Sequence, residues 1–256
     1  AVDWVTLNRP DALNALNGEM VETLASYFEG LYRRHDRRVV VLQAAGKAFC
    51  AGLDLKESVV DAEAIKRAPV QTGMAGQRRI GDIYRAMRRC QQPIISLVHG
   101  AACGGGFSLA LASDIRIVAD NARMNCAFVR IGYTGADMGS SYFLPRLVGL
   151  GMASELMLTG RFVEAEEALR IGLANHVTSQ DGMAGKAEEL IQYMLTTSPM
   201  GLRLTKEALS YSVDAPGMDA AVAMEDRHQI LMGQTKDQRE ATQAFLEKRT
   251  PDFKDH

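Results

Sequence analysis

The run Val39-Val40-Val41-Leu42 is apolar at every position. A strand with one wet face alternates apolar and polar residues, whereas a strand with no polar position is covered on both sides. Such a strand belongs in the middle layer of a stacked structure with helices packed against it. Ile94–Val98, Ile115–Ala119 and Val2–Leu7 read as further strands, the last closed by Asn8-Arg9-Pro10. Helical patterns lie between them. Met20, Leu24, Phe28 and Leu31 fall on one face of a helix near 19–34, and helices are predicted over 80–89, 107–112 and 139–148. The alternation predicts an α/β fold. Residues 61–79 interrupt it: they mix charge with Gly73 and Gly76 and predict a mobile stretch, a candidate lid.

Past about residue 195 strand patterns stop. Ser198-Pro199 has the form of a helix start with proline at the first position, and Thr235-Lys236-Asp237-Gln238 that of a capping box. Three helices, near 200–212, 217–232 and 236–249, need something to cover their apolar faces, either the core or another subunit. The predicted organisation is a core over 1–195 and a helical region over 196–256.

A net charge of −2 supplies no basic field, so nucleic acid is not an expected partner. No apolar run is long enough to span a bilayer and no signal-peptide pattern opens the chain, so a membrane is not expected either. The first residue is Ala rather than Met, which leaves room for residues before it. Cys50, Cys90, Cys103 and Cys126 form no C-x-x-C pair and read as reduced, mostly core thiols, so the expected compartment is cytoplasmic. His35, His99, His176, His228 and His256 show no metal-ligand spacing, and no metal is expected.

Two loops carry the chemistry. Gly104-Gly105-Gly106 follows a strand and opens a helix. Glycines let the backbone approach a ligand closely, and the first N–H groups of a helix have no intrahelical acceptor. A developing oxyanion would be stabilised there, although the same loop could serve packing alone. No Gly-Lys-Ser/Thr ending and no G-x-G-x-x-G pattern points to a phosphate loop. The second loop, Phe49-Cys50-Ala51-Gly52-Leu53-Asp54-Leu55, also follows a strand and carries a glycine. One N–H from each would make a two-donor oxyanion hole, in which losing one donor costs about 2.7–4 kcal/mol of transition-state stabilisation.

Several stretches in order, Asn8-Arg9-Pro10 with Ala12-Leu13-Asn14-Ala15-Leu16, Gly46 through Glu57, the glycine triplet, Leu158-Thr159-Gly160-Arg161 with Ala168 and Gly172-Leu173-Ala174, and the tail from Phe245 to His256, resemble the enoyl-CoA hydratase/isomerase (crotonase) superfamily. The resemblance spans nearly the whole chain. It implies a spiral of ββα units followed by a helical trimerisation region, assembled as a homotrimer or as a hexamer of two trimers. It implies that Leu53 and Gly105 give the oxyanion N–H groups to an acyl-CoA thioester. Ala51, Leu53, Asp54, Leu55 and Lys56 would line the thioester and its adenine-bearing arm, with Ala12 and Leu13 beside the CoA. Phe245 and Lys248 match a tail contact to CoA, offered to a neighbouring subunit. No cofactor is implied beyond the coenzyme A carried by the substrate.

Where the resemblance places the two glutamates of a hydratase, this chain has Ser108 and Phe128. Neither ionises usefully near neutral pH, and Phe128 cannot hold a water by a hydrogen bond. Both remain expected pocket residues. Asp137, in Thr134-Gly135-Ala136-Asp137-Met138-Gly139, resembles the aspartate that dienoyl-CoA isomerases of this superfamily use for proton transfer. Its alternative role is to cap the helix that follows, and the two can coexist. Asp54 is read as fixing its loop, while Cys50, Cys126 and His99 lack an adjacent base or a matching family role. Two functions are therefore expected to compete: a hydratase- or isomerase-type enzyme that stabilises a thioester enolate, and an acyl-CoA binding protein that kept the fold without the chemistry. Thioester hydrolysis ranks lower for want of a base. The acyl group would be selected by 57–92 with Phe128, Tyr133 and Met138.

Overall fold

The computed structural model of the chain describes residues 1–57 and 61–256. Five parallel strands form the central sheet: β1 (Val2–Leu7), β2 (Val39–Ala44), β3 (Ile94–Val98), β5 (Ile115–Ala119) and β8 (His176–Thr178), side by side in that order. The register sets Val41 beside Trp4 and Ile95, and Leu97 beside Ile117. A smaller three-stranded sheet orders β4 (Ala101–Cys103), β6 (Arg123–Asn125) and β7 (Val163–Glu164), with β7 antiparallel. These short strands carry no alternation long enough to read from sequence.

The all-apolar run is explained by two cores. Val40 and Leu42 face one, with Ile94, Val98 and Val118. Val39 and Val41 face the other, with Ile95, Leu97 and Ile117, covered by Met183, Ala187 and Ile191 of α8 (Met183–Leu195). Side chains of a strand alternate between faces, so a strand between two cores has no position left for a polar residue.

The first core is closed by α1 (Gly18–Gly30), α3 (Pro69–Arg89) and α4 (Gly105–Ala112). Asn17 caps α1 by accepting from Met20 N–H. The helix ends earlier than the spacing predicts, at Gly30, and a 3-10 turn over Leu31–Arg33 follows. There the buried Gln92 amide reaches the carbonyls of Leu31, Arg34 and Arg37, satisfying chain that has left the helix. All eight residues of α4 are buried, which is why a helix with so little polar character forms there.

Residues 61–79, expected to be a mobile stretch, are mostly helical. Residues Ala62–Arg67 form α2, and the helix predicted over 80–89 begins at Pro69 and runs 21 residues. Pro69 stands at the first turn, and Gly76, Ile80, Ile83, Tyr84 and Met87 form a buried stripe. Before Ile80 the stripe is hidden in the sequence because its buried position is Gly76 rather than a large apolar residue; on the wet face Arg79 pairs with Glu22 and Glu29 of α1. Residues 58–60, within the segment expected to select the acyl group, lie outside the described residues.

After β6 a 3-10 turn (Ala127–Ile131) leads to α5 (Ser140–Val148) and α6 (Leu150–Thr159), then α7 (Ala165–Arg170). The C-terminal helices are α9 (Pro199–Ser212), α10 (Met218–Gly233) and α11 (Lys236–Glu247). Ser198 Oγ accepts from Gly201 N–H and starts α9 as predicted. Thr235 Oγ1 accepts from Gln238 N–H, but Gln238 Nε2 donates to Thr242 instead of reaching back, so only half the predicted capping box forms. Lys206 of α9 is buried and joins the core: its Nζ lies 2.8 Å from Asp114 and donates to the Met87 and Gln92 carbonyls. The chain end folds onto α11, where the buried Asp237 carboxylate accepts from Lys254 N–H and Asp255 N–H.

Candidate active site

The loop after β2 is shaped by residues 9–16. Asn14 is buried; its Nδ2 donates to the carbonyls of Ala45 and Ala48 while its Oδ1 accepts from Arg9 N–H. Ala12 closes a 3-10 turn (Pro10–Ala12), and Leu13 takes a left-handed conformation that aims its carbonyl at Ala51 N–H. Leu16 then pairs with the loop, accepting from Asp54 N–H and donating to the Gly52 carbonyl.

Both glycine-bearing loops are joined by backbone hydrogen bonds. Phe49 N–H donates to His99, Cys50 N–H to Ala101, and Cys103 N–H back to Cys50. Gly52 (φ 103°) sits where a Cβ would lie 2.9 Å from the Cys103 carbonyl oxygen and 3.6 Å from Gly105 N. A side chain at Gly106 would collide with the Cys50 carbonyl. The absence of side chains thus lets the two loops close on each other. Among the described residues neither Leu53 N–H nor Gly105 N–H has a hydrogen-bond acceptor in the protein. Gly105 is the first residue of α4, so its N–H belongs to the unfilled helix start.

Around this corner, Asp54 accepts from Lys56 N–H and Glu57 N–H and pairs with Arg9 at 3.0 Å. Those backbone donors and the Arg9 guanidinium hold its carboxyl below the usual range. Leu53 is half-buried, whereas Leu55 and Lys56 are exposed. Phe128 is buried in the 3-10 turn with its ring against Gly104. Ser108 is fully buried one turn into α4, and its hydroxyl has no partner among the described residues. His99 Nε2 is bound to the Gly46 carbonyl. Burial pushes the thiols of Cys50 and Cys126 up to about 12, so neither is a nucleophile near neutral pH.

Asp137 and Met138 approach the corner from the other side. Met138 Sδ lies 2.9 Å from where a Cβ of Gly105 would stand. The half-buried Asp137 carboxylate does not cap α5, whose first position follows Gly139 with no side-chain cap. Its Oδ1 instead accepts from Met138 N–H at 2.7 Å and from Gln77 Nε2 at 2.5 Å. Burial raises its pKa above the usual value, and these two donors work against that rise. Asp137, Met138, Gln77 and Tyr84 line one open cleft of about 1180 Å³.

Sequence reasoning missed Gln77 and Tyr84. The Tyr84 hydroxyl is buried and donates to the Gly105 carbonyl at 3.1 Å. Its partner is a backbone atom 21 residues on, for which a sequence carries no signal. Phe245 and Lys248 are not brought to the corner within this chain: Phe245 is exposed beside a cleft between the C-terminal helices, and Lys248 ends α11 in a left-handed conformation.

The parallel sheet delivers two mutually fitted loops, each with an N–H that has no acceptor among the described residues, on an α/β scaffold. Residues 1–256 match the family described as Enoyl-CoA hydratase/isomerase, and the chain belongs to that family. It is 36% identical over 249 residues to the 1,2-epoxyphenylacetyl-CoA isomerase of Escherichia coli (strain K12), covering 97% of this chain and 93% of the relative. It is 34% identical over 246 residues to the short-chain-enoyl-CoA hydratase of Clostridium acetobutylicum, covering 96% and 91%. A crystal structure of an enoyl-CoA hydratase from Bacillus anthracis superposes with a TM-score of 0.90 at 33% identity, covering 100% of this chain and 96% of that one. No helix among the described residues is long and apolar enough to cross a membrane.

Proposed function

We propose that this protein is an acyl-CoA thioester enzyme that moves a proton along the acyl chain through an enolate held by Leu53 N–H and Gly105 N–H. The observation that carries this reading is the fit of Gly52 against the Cys103–Gly105 turn, which brings both unfilled donors to one corner. With the thioester oxygen seated there, the protons on the adjacent carbon become acidic, because charge leaving the C–H bond is received by fixed dipoles. Asp137 then takes a proton and returns it elsewhere on the chain. One carboxylate suffices for that shuttle. Adding water across a double bond asks for a second group to hold the water, and Ser108 and Phe128 stand where the resemblance places the hydratase glutamates. Isomerisation is therefore favoured over hydration.

Ala12, Leu13, Ala51, Asp54, Leu55 and Lys56 flank the corner and are assigned to the CoA arm, the only cofactor-like group the reading needs. Region 196–256 is assigned to subunit association, as a trimer or a dimer of trimers, with Phe245 and Lys248 reaching a neighbour's CoA. Phe245 and Leu246 are 82% and 75% exposed, a cost that a partner surface would remove. Cytoplasmic residence fits the four free cysteines.

The unpartnered Ser108 hydroxyl and the apolar Phe128 favour one competing reading, a non-catalytic acyl-CoA binder. Two assays separate them: isomerisation of 3-hexenoyl-CoA, followed by growth of the conjugated enoyl-thioester absorbance, and hydration of crotonyl-CoA, followed by its loss. The proposal expects isomerisation well above buffer, abolished in Asp137→Asn, and slow hydration. CoA-ester binding without turnover in either assay supports the binder.

A further inference from the structure

Helix α3 touches both halves of the site. Gln77 Nε2 donates to Asp137 Oδ1 at 2.5 Å, and two turns along the same face the Tyr84 hydroxyl donates to the Gly105 carbonyl at 3.1 Å. We propose that Gln77 is a positioning residue for the proton-carrying carboxylate: its amide ties Asp137 to the helix that also anchors Gly105, and so sets the distance between proton carrier and oxyanion donors. The inference deepens the reading of Asp137 given above and rests on it.

Three observations support it. The loop's own hydrogen bonds, Asp137 N–H to Ser140 Oγ and Ser140 Oγ to the Gly135 carbonyl, hold its backbone, and among the described residues the Gln77 amide is the contact that ties the Asp137 carboxylate to a neighbouring helix. Both donors to the carboxylate go to Oδ1, and among the described residues none goes to Oδ2, which leaves one oxygen to take a proton. The Gln77 donor is also neutral. A guanidinium in its place would hold the carboxylate ionised and weaken it as a base, whereas an amide fixes its geometry with a smaller effect on basicity.

Other titratable groups also line the cleft. On α3 these are Arg78, Tyr84, Arg85, Arg88 and Arg89; α5 contributes Tyr142, α9 Lys206, Glu207 and Tyr211, the chain after it Asp214, and the turn after α1 Tyr32. Arg85 is paired with Asp82 and Asp214 with Arg146, while Arg88 and Lys206 share Asp114. The Tyr84 hydroxyl is kept neutral by burial, which pushes its pKa well above the usual value.

The test combines two readouts on the full-length protein. In the first, the Asp137 carboxyl carbon is followed by 13C NMR against pH in the wild type, Gln77→Leu and Gln77→Glu. The midpoint should rise in that order, as a donor is removed and then replaced by a like charge. In the second, the acidic limb of kcat/KM for 3-hexenoyl-CoA isomerisation should move to higher pH in step. At the optimum, Gln77→Leu should lower kcat by about 10- to 100-fold with KM little changed, as expected when a catalytic group is displaced. Gln77 is exposed, so the variants should fold. A midpoint that stays constant across the three proteins overturns the inference. So does wild-type kcat in Gln77→Leu when Asp137→Asn is inactive, an outcome that leaves the proposed function intact. Full turnover in Asp137→Asn instead removes Asp137 from the mechanism and the inference with it, while the NMR titration still reports whether the contact exists.

Discussion

Missing side chains at Gly52 and Gly106 let the two loops meet. Gly52→Ala would place a methyl 2.9 Å from the Cys103 carbonyl and force a left-handed φ on alanine. The expected result is a loss of about 10²–10³-fold in kcat, the cost of one misplaced oxyanion donor. Destabilisation should be about 1–3 kcal/mol, read by urea unfolding. Asp137 makes the opposite prediction for stability. Its folded pKa is raised by burial, so the native state binds the extra proton between the unfolded and folded values. Stability falls as pH rises through that window, because the folded protein must then hold a half-buried charge. Asp137→Asn should therefore raise the melting temperature at pH 7 while abolishing isomerisation, and the gain should vanish well below the ordinary aspartate pKa of about 3.9. An unchanged melting temperature across pH would contradict this. At this scale the glycines of the two loops can be singled out because conformational freedom is a property of the residue itself, while Leu53, Gly105 and Asp137 can be singled out as candidates only through the family resemblance. Tyr84 and Gln77 cannot, since their roles are defined by a carbonyl and a carboxylate that only folding brings near.

Elements are legible in proportion to the length and contrast of their apolar pattern. The expected bounds of β1, β3 and β5 coincide with those observed because each is a β-prone run closed by turn residues, Asn8-Arg9-Pro10, His99-Gly100 and Asp120-Asn121. Helix α3 is legible only in its second half, because residues 69–77 carry Thr72, Gly73 and Gly76, weak helix formers, and few large apolar side chains to mark the buried face. The two- and three-residue strands β4, β6 and β7 are held by neighbours, not by pattern. One contact between elements makes a sharp prediction. Lys206 of α9 fills a buried cage of the Asp114 carboxylate and the Met87 and Gln92 carbonyls. Lys206→Ala removes a buried pair and strands two acceptors, so unfolding free energy should drop by about 3 kcal/mol, with kcat nearly unchanged. A drop under about 0.5 kcal/mol would mean that α9 is not anchored through this lysine.

Across the whole molecule the sheet and its two cores account for 1–195, and the remaining helices leave apolar surface uncovered: Leu209, Met218, Ile230 and Phe245 are each more than 60% exposed. Sedimentation should therefore report a species of at least three times the 27.9 kDa chain, and Phe245→Ala should raise KM for the CoA ester more than it lowers kcat. A monomer with full activity would contradict both the assembly and the shared CoA contact. The α/β class and the extent of the family resemblance are legible in the amino-acid sequence alone, because they rest on patterns repeated along the chain. How the loops interlock is not, because it depends on pairings across about 50 residues, such as Cys50 with Ala102.

The central claim is that two backbone N–H groups polarise a thioester carbonyl. It is tested most directly by the infrared carbonyl stretch of 13C1-labelled hexanoyl-CoA bound to the protein, taken as a difference against the unlabelled ester. The account predicts a band at lower frequency than for the same ester in water, returning toward the water value in Gly52→Ala. A bound carbonyl that absorbs where it does in water would show that the Leu53 and Gly105 donors do not act on it, and would contradict the account.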